Sequence, residues 1–250
     1  MSTIKKSRIR ALTAAVAATF VLAACGSGTS TPDTTVPEVS VRIVSLSPTA
    51  TEMLYAIGAG SQVVAVDEYS NYPAEAVALG TPLSGFEPNI EAISGYTPDL
   101  VIISYDPGSL VEQLSTLNIP VFVAGAAMSI ENVYEQIEQL GVLTGNSQTA
   151  IEVSKTLQAG IEEAVASVQF SEPPLSYYYE LDNTYYSVTS NTFIGQIFNL
   201  FGMRNIADNV ESGNDYPQLS AEVIVSADPD FIFLADTKCC AQDATTVAAR

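Results

Sequence analysis

At 250 residues the chain is long enough for one large domain or two small ones, each with its own core. A hydrophobic fraction of 47% with only 15% charged residues excludes a disordered tail. With 28 acidic residues against 9 basic ones, a formal charge of −19, the chain repels phosphate backbones, which excludes nucleic-acid binding and disfavours anionic lipid.

In chain order, Lys5, Lys6, Arg8 and Arg10 precede a small and apolar run from Ala11 to Ala24. Removing these four leaves five basic residues against all 28 acids. The run is too short to span a bilayer and reads as a secretory signal over residues 1–24. Its ending, Leu22-Ala23-Ala24-Cys25-Gly26, resembles the bacterial lipoprotein cleavage box. That resemblance implies cleavage before Cys25 and lipidation of Cys25, on the outer face of the cell membrane. Residues 25–40 are polar and lack apolar periodicity, as a flexible tether does.

A first lobe is expected over residues 41–128. Val41 to Leu46 reads as a buried strand running into Ser47-Pro48-Thr49 and a helix, with Thr49 and Glu52 spaced as a capping box. A strand at Gln62 to Val66 leads to a polar aromatic loop, Asp67 to Pro73. Pro88 to Ile103 then gives a short helix, Pro98-Asp99 and a strand, and Val121 to Ala124 a further strand. Residues 129–170 read as a helical linker whose second helix, from Ser147, is a stiff spine of about 30 Å at 1.5 Å per residue. A second lobe, residues 171–250, begins with a strand at Leu175 to Leu181 and a helix at Thr192 to Phe201 capped by Asn191. Pro217 to Phe233 then repeats the pattern of Pro88 to Ile103, with Pro229-Asp230 aligned on Pro98-Asp99 and Glu222 in register with Glu91. The predicted class is α/β, with two lobes of mostly parallel sheet joined by one long rigid helix. Two clear strands and an ending without a terminating element make the second lobe look incomplete.

The chain has no histidine and no tryptophan. That removes the usual general base, the usual zinc ligand and any histidine-based triad. No nucleophile elbow, phosphate-cradling loop or dinucleotide fingerprint is present. The residue set points away from an enzyme, from a resident cofactor and from a protein-held metal. The loops offer aromatics instead. Ser47, Pro48, Thr49, Tyr69, Phe86 and Tyr105 fall at strand ends or helix starts of the first lobe. The second lobe adds Tyr185, Tyr186, Phe193 and Tyr216. Aromatics on both lobes suit a large, flat, partly apolar ligand held in a cleft. Cys239 and Cys240 are adjacent, so either a vicinal disulfide or two free thiols is open.

With RIVSLSPTATEMLYAIGAG, YSNYP and the two Pro-Asp stretches assembled, the chain from about Val41 to Arg250 resembles the solute-binding proteins of ABC importers for iron chelates and cobalamin. The resemblance implies two α/β lobes bridged by a long helix, with the ligand between them. It places Pro48 and Thr49 in the first ligand loop and Tyr69 in an aromatic contact. It sets Tyr216 where cobalamin binders carry tryptophan, and Phe86 and Tyr105 within about one residue of aromatic positions. It makes Glu91 and Glu222 the pair that engages arginines of the membrane permease. Partners implied are the permease, its ATPase and a bulky metal chelate that itself carries cobalt or iron; a monomer is expected. The missing tryptophans put a ferric siderophore beside cobalamin, with haem held through tyrosine as a third candidate. The family also continues beyond the equivalent of Arg250. The competing readings are a carboxylate-based extracytoplasmic hydrolase and a structural or adhesive surface lipoprotein.

Overall fold

A computed structural model describes residues 41–249. The expected signal over residues 1–24, Cys25, the tether to residue 40 and Arg250 lie outside the described residues.

Strand β1 (Ile43–Leu46) is buried at every residue, not at alternate ones. Its place in the sheet explains this. Parallel strands β2 (Val63–Val66) and β3 (Leu100–Ile103) flank it, and β3 carries β4 (Val121–Val123), giving the order β2-β1-β3-β4. A parallel sheet covered on both faces needs apolar side chains on both, and successive side chains alternate between two cores. Ile43, Leu100 and Ile102 join one core with Leu54 of α1 (Pro48–Ala56), Ala76 of α2 (Ala74–Val77), Ile137 and Leu140 of α5 (Ile130–Thr144) and Ala150 of α6 (Ser147–Ala166). Val44, Leu46, Val101 and Ile103 join the other with Ile93 of α3 (Ile90–Gly95) and Leu110 and Leu114 of α4 (Leu110–Thr116). Each fully buried leucine or isoleucine contributes about 1.5–3 kcal/mol of transfer free energy.

Helix α5 stops at Gly145, whose φ of 75° only glycine adopts without strain. Helix α6 follows with 20 residues, about 30 Å of rise. No helix of the described residues is long and apolar enough to cross a membrane. The second sheet has the order β6-β5-β7, all parallel, with β5 (Ser176–Glu180) between β6 (Arg204–Asn205) and β7 (Phe231–Leu234). One face is aromatic: Tyr177 meets Phe198 of α7 (Phe193–Leu200) at a centroid distance of 4.4 Å, and Phe198 meets Phe233 at 4.7 Å. On the other, Tyr178 packs with Ile206, Leu219 and Ile224 of α8 (Ala221–Ala227).

The sequence echo has one structural cause in both lobes. Asp99 Oδ2 accepts from the Arg42 N–H at 2.8 Å, immediately before β1. Asp230 Oδ2 accepts from the Ser176 N–H at 2.7 Å and the Ser176 hydroxyl at 2.8 Å, at the start of β5. Each Pro-Asp pair thus precedes one strand and fastens the entry of the strand it pairs with, β3 with β1 and β7 with β5. The Ser176 bonds hold the Asp230 carboxyl below its ordinary range.

The α/β class with parallel sheets is borne out, and four local expectations are corrected. Thr49 does not cap α1. Ser47 does, accepting from the Ala50 N–H at 3.3 Å, because Pro48 lacks an N–H and fits the first helical position. Asn191 does not cap α7. Thr192 does, accepting from the Gly195 N–H at 3.1 Å, while the Asn191 amide donates to Asp215 at 3.0 Å. The second sheet has a third strand, β6, too short at two residues to show periodicity. Helix α9 (Ala244–Ala248) forms on a capping box at Asp243 where no closing element was expected.

Candidate functional site

The first residue after every strand of the first sheet lines one of two neighbouring cavities. Ser47 follows β1, Asp67 follows β2, Ser104 follows β3 and Ala124 follows β4. In α/β sheets the carboxyl ends of strands, at the point where connections diverge to either side, form the binding crevice. Here that point lies between β1 and β3.

The larger cavity measures about 650 Å³. The first lobe supplies Ser47, Thr49 and Met53 at the start of α1, Ser104 and Tyr105 after β3, and the segment from Ala124 to Met128. The second supplies Thr192, Phe193 and Ile194 at the start of α7, and Tyr216. The smaller cavity, about 230 Å³, shares Ser104 and Tyr105 and adds Pro48, Asp67, Tyr69, Gly85 and Phe86. Tyr69 and Phe86 meet edge to face at 5.4 Å, and Phe86 lies 6.3 Å from Tyr105. Their exposures of 55%, 62% and 42% leave an apolar cluster facing outward, unlike a core.

Buried polar contacts hold these loops in place. The Thr51 hydroxyl donates to Ser45 Oγ at 2.9 Å and lies 2.9 Å from Ser70 Oγ, tying β1, α1 and the Tyr69 loop together. Asp67 Oδ1 accepts from the N–H groups of Tyr69 at 3.0 Å and Ser70 at 2.8 Å. Burial raises the Asp67 carboxyl pKa, and these hydrogen bonds oppose the rise. Gly85 packs closely here: a Cβ would stand 3.0 Å from Asp67 Oδ2 and 3.1 Å from the Leu46 carbonyl oxygen, so a side chain would have to push these groups back by a few tenths of an ångström. Between the lobes, Gln196 Nε2 donates to the Met128 carbonyl at 3.0 Å.

Of the residues expected in the site, Ser47, Thr49, Phe193 and Tyr216 line the larger cavity, Pro48, Tyr69 and Phe86 the smaller, and Tyr105 both. Tyr186 lines neither. Its backbone pairs with Gln218 in an antiparallel bridge and with Leu181, which holds it to one side. Asp67, Ser104, Ala124 to Met128, Met53, Gln136 and Ile194 were missed. The strand-end rule would have found the first three positions, and the i, i+4 spacing of Thr49 and Met53 the next.

Glu91 and Glu222 stand away from both cavities. Each is exposed, two residues beyond a helix cap, Asn89 for α3 and Ser220 for α8. The Glu222 carboxyl sits below its ordinary range because its own N–H and the Ser220 hydroxyl bond it. Cys239 and Cys240 are free and exposed. The hydrogen bond from Cys239, with burial and nearby acids, pushes the Cys240 thiol up to about 11. Among the described residues, no group of three or more histidine, cysteine, aspartate or glutamate side chains could hold a metal ion.

The chain is similar to a cobalamin-binding protein of Halobacterium salinarum, 36% identical over 198 residues, covering 76% of this chain and 53% of that one. It thus spans about half the length of that relative. Among solved structures it resembles the periplasmic vitamin B12 binding protein BtuF of Vibrio cholerae at 27% identity and a TM-score of 0.66, covering 84% and 82% of the two chains. It also resembles the periplasmic heme binding protein HutB of Vibrio cholerae at 25% identity and a TM-score of 0.71, covering 83% and 81%. These relatives are binding proteins, not enzymes. Residues 43–248 match the periplasmic binding protein family, and the chain belongs to it.

Proposed function

We propose that this protein is an extracytoplasmic receptor that binds a bulky metal chelate between its lobes and delivers it to an ABC importer. One observation carries the reading: a cavity of about 650 Å³ walled by both lobes, beside a cluster of outward-facing aromatics. A site of that size, apolar with a few neutral hydrogen-bonding groups, suits a ligand of macrocycle or siderophore dimensions. The names of the relatives, cobalamin-binding and heme binding, support the same class. No resident cofactor is required, since the ligand brings its own cobalt or iron.

The test is calorimetry on the full chain with candidate chelates, then on Tyr69→Ala and Tyr216→Ala. These rings come from different lobes and different cavities. Loss of either wall removes about 1–3 kcal/mol of burial, roughly a five- to 150-fold weaker Kd. Unchanged affinity in both variants would remove them from the site.

The receptor is held to the membrane by lipid on Cys25, a reading supported by the basic start, the short apolar run and the Leu-Ala-Ala-Cys ending. Cys25→Ser is expected to abolish incorporation of labelled fatty acid. Equal labelling of both forms would overturn the anchor.

A further inference from the structure

The charges around the cleft are as informative as its aromatics. No charged side chain lines the larger cavity, and the one that lines the smaller is an acid, Asp67. Among the described residues the cations are Arg42, Lys155, Arg204 and Lys238, and none of them lines either cavity. Two are engaged elsewhere. Arg42 donates to the carbonyls of Tyr96 at 2.8 Å and Thr97 at 3.2 Å, at the opposite end of the sheet from Ser47. Arg204 lies at the start of β6 and lowers the Asp230 carboxyl electrostatically.

What the cleft does offer is neutral. Hydroxyls come from Ser47, Thr49, Ser104, Thr192, Tyr105 and Tyr216. The helix starts at α1 and α7 add the N–H groups of Thr49, Phe193 and Ile194, which have no intrahelical partner. Their dipoles are weakened as anion sites. Pro48 removes one donor of α1, and Ser47 and Thr192 consume another at each end. An anionic ligand would therefore give up its hydration without meeting a full positive charge, beside a buried carboxylate and within the field of a strongly acidic chain. A ligand rimmed by carboxamides loses nothing comparable, because its carbonyls meet hydroxyl and N–H donors and its amide hydrogens meet hydroxyl oxygens.

We infer that the cleft selects by charge, taking uncharged, amide-rimmed metal chelates of the corrinoid kind and rejecting anionic ones such as porphyrin dicarboxylates and ferric tricatecholates. This rests on the chelate-receptor reading and narrows it.

The experiment is equilibrium titration of the full chain, at low and high salt, with cyanocobalamin, haemin, a ferric tricatecholate and ferric citrate. Cyanocobalamin is expected to bind at least 100-fold more tightly than any of the three anions. Its Kd is expected to be flat with salt, and any residual anion binding to strengthen as salt screens the repulsion. Gln136→Lys, which adds a cation to the cavity wall, is expected to tighten haemin at least tenfold. Haemin or tricatecholate within tenfold of cyanocobalamin overturns the charge selection and leaves the receptor reading standing. No improvement of haemin by a folded Gln136→Lys protein also overturns it. Failure of all four probes to bind overturns the receptor reading, and the inference with it.

Discussion

Single glycines decide how closely the elements around the cleft approach. At Gly141 of α5 a Cβ would stand 2.4 Å from the Cβ of Ala150 and 3.2 Å from the Cα of Ser147, both on α6. Neither neighbour is the far end of a flexible chain, so the helices would have to separate. Gly160 is also helical, on α6, and nothing lies within 4 Å of its would-be Cβ. The same substitution therefore has opposite signs at the two sites. Gly141→Ala is expected to destabilise by about 1–3 kcal/mol through overpacking. Gly160→Ala is expected to stabilise by about 0.5–1 kcal/mol through helix propensity alone. Urea unfolding followed by circular dichroism reads both; equal shifts in the midpoint would mean that α5 and α6 do not meet at Gly141.

At the scale of elements, most of the architecture was legible in the sequence. The buried runs at β1 and β3 announced central parallel strands, because a strand covered on both faces has no polar side to show. The repeat of Pro-Asp was legible as an echo, and its cause is the fastening of β1 by Asp99 and β5 by Asp230. What stayed hidden was short or decided by tertiary contact. Strand β6 has two residues, and its Asn205 is held by side-chain bonds to the Tyr177 hydroxyl at 3.0 Å and the Val188 carbonyl at 2.7 Å, which no local pattern encodes. The cap of α7 was displaced by one residue because Asp215, distant in sequence, engages Asn191. In the site, aromatic residues were legible since exposed rings at strand ends are conspicuous. Ala124 to Met128, all apolar and all small except for the methionine, carried no such signal. Tyr186 shows the converse and lines neither cavity. It has the right residue type and an exposure of 40%, but its backbone is committed to the bridge with Gln218.

At the scale of the whole molecule, the two lobes of the described residues follow one plan. In each lobe the first strand is followed by a helix and a neighbour on one side, then by a short helix and a neighbour on the other: β1, α1, β2, α3, β3 in the first, with α2 added after β2, and β5, α7, β6, α8, β7 in the second. Glu91 and Glu222 occupy the same position in that plan, two residues beyond the caps of α3 and α8, both exposed and both outside the cavities. We propose that they dock the permease, one carboxylate from each lobe meeting an arginine from each half of a two-fold transporter. An isolated surface glutamate in so acidic a chain would ordinarily do no more than keep a helix start solvated, and the N-terminal dipole already favours an acid there. The shared register is what sets these two apart. Exposed charges at an interface govern encounter and orientation more than affinity for a ligand held elsewhere. Reversing both, Glu91→Arg with Glu222→Arg, is therefore expected to abolish cellular uptake of the chelate while its Kd for the isolated protein stays within about twofold. Each single reversal is expected to leave partial uptake, since one contact remains. Full uptake by the double variant would show that the pair has no role in docking. A parallel loss of ligand binding would show that the charge reversals disturb the cleft, not the permease contact.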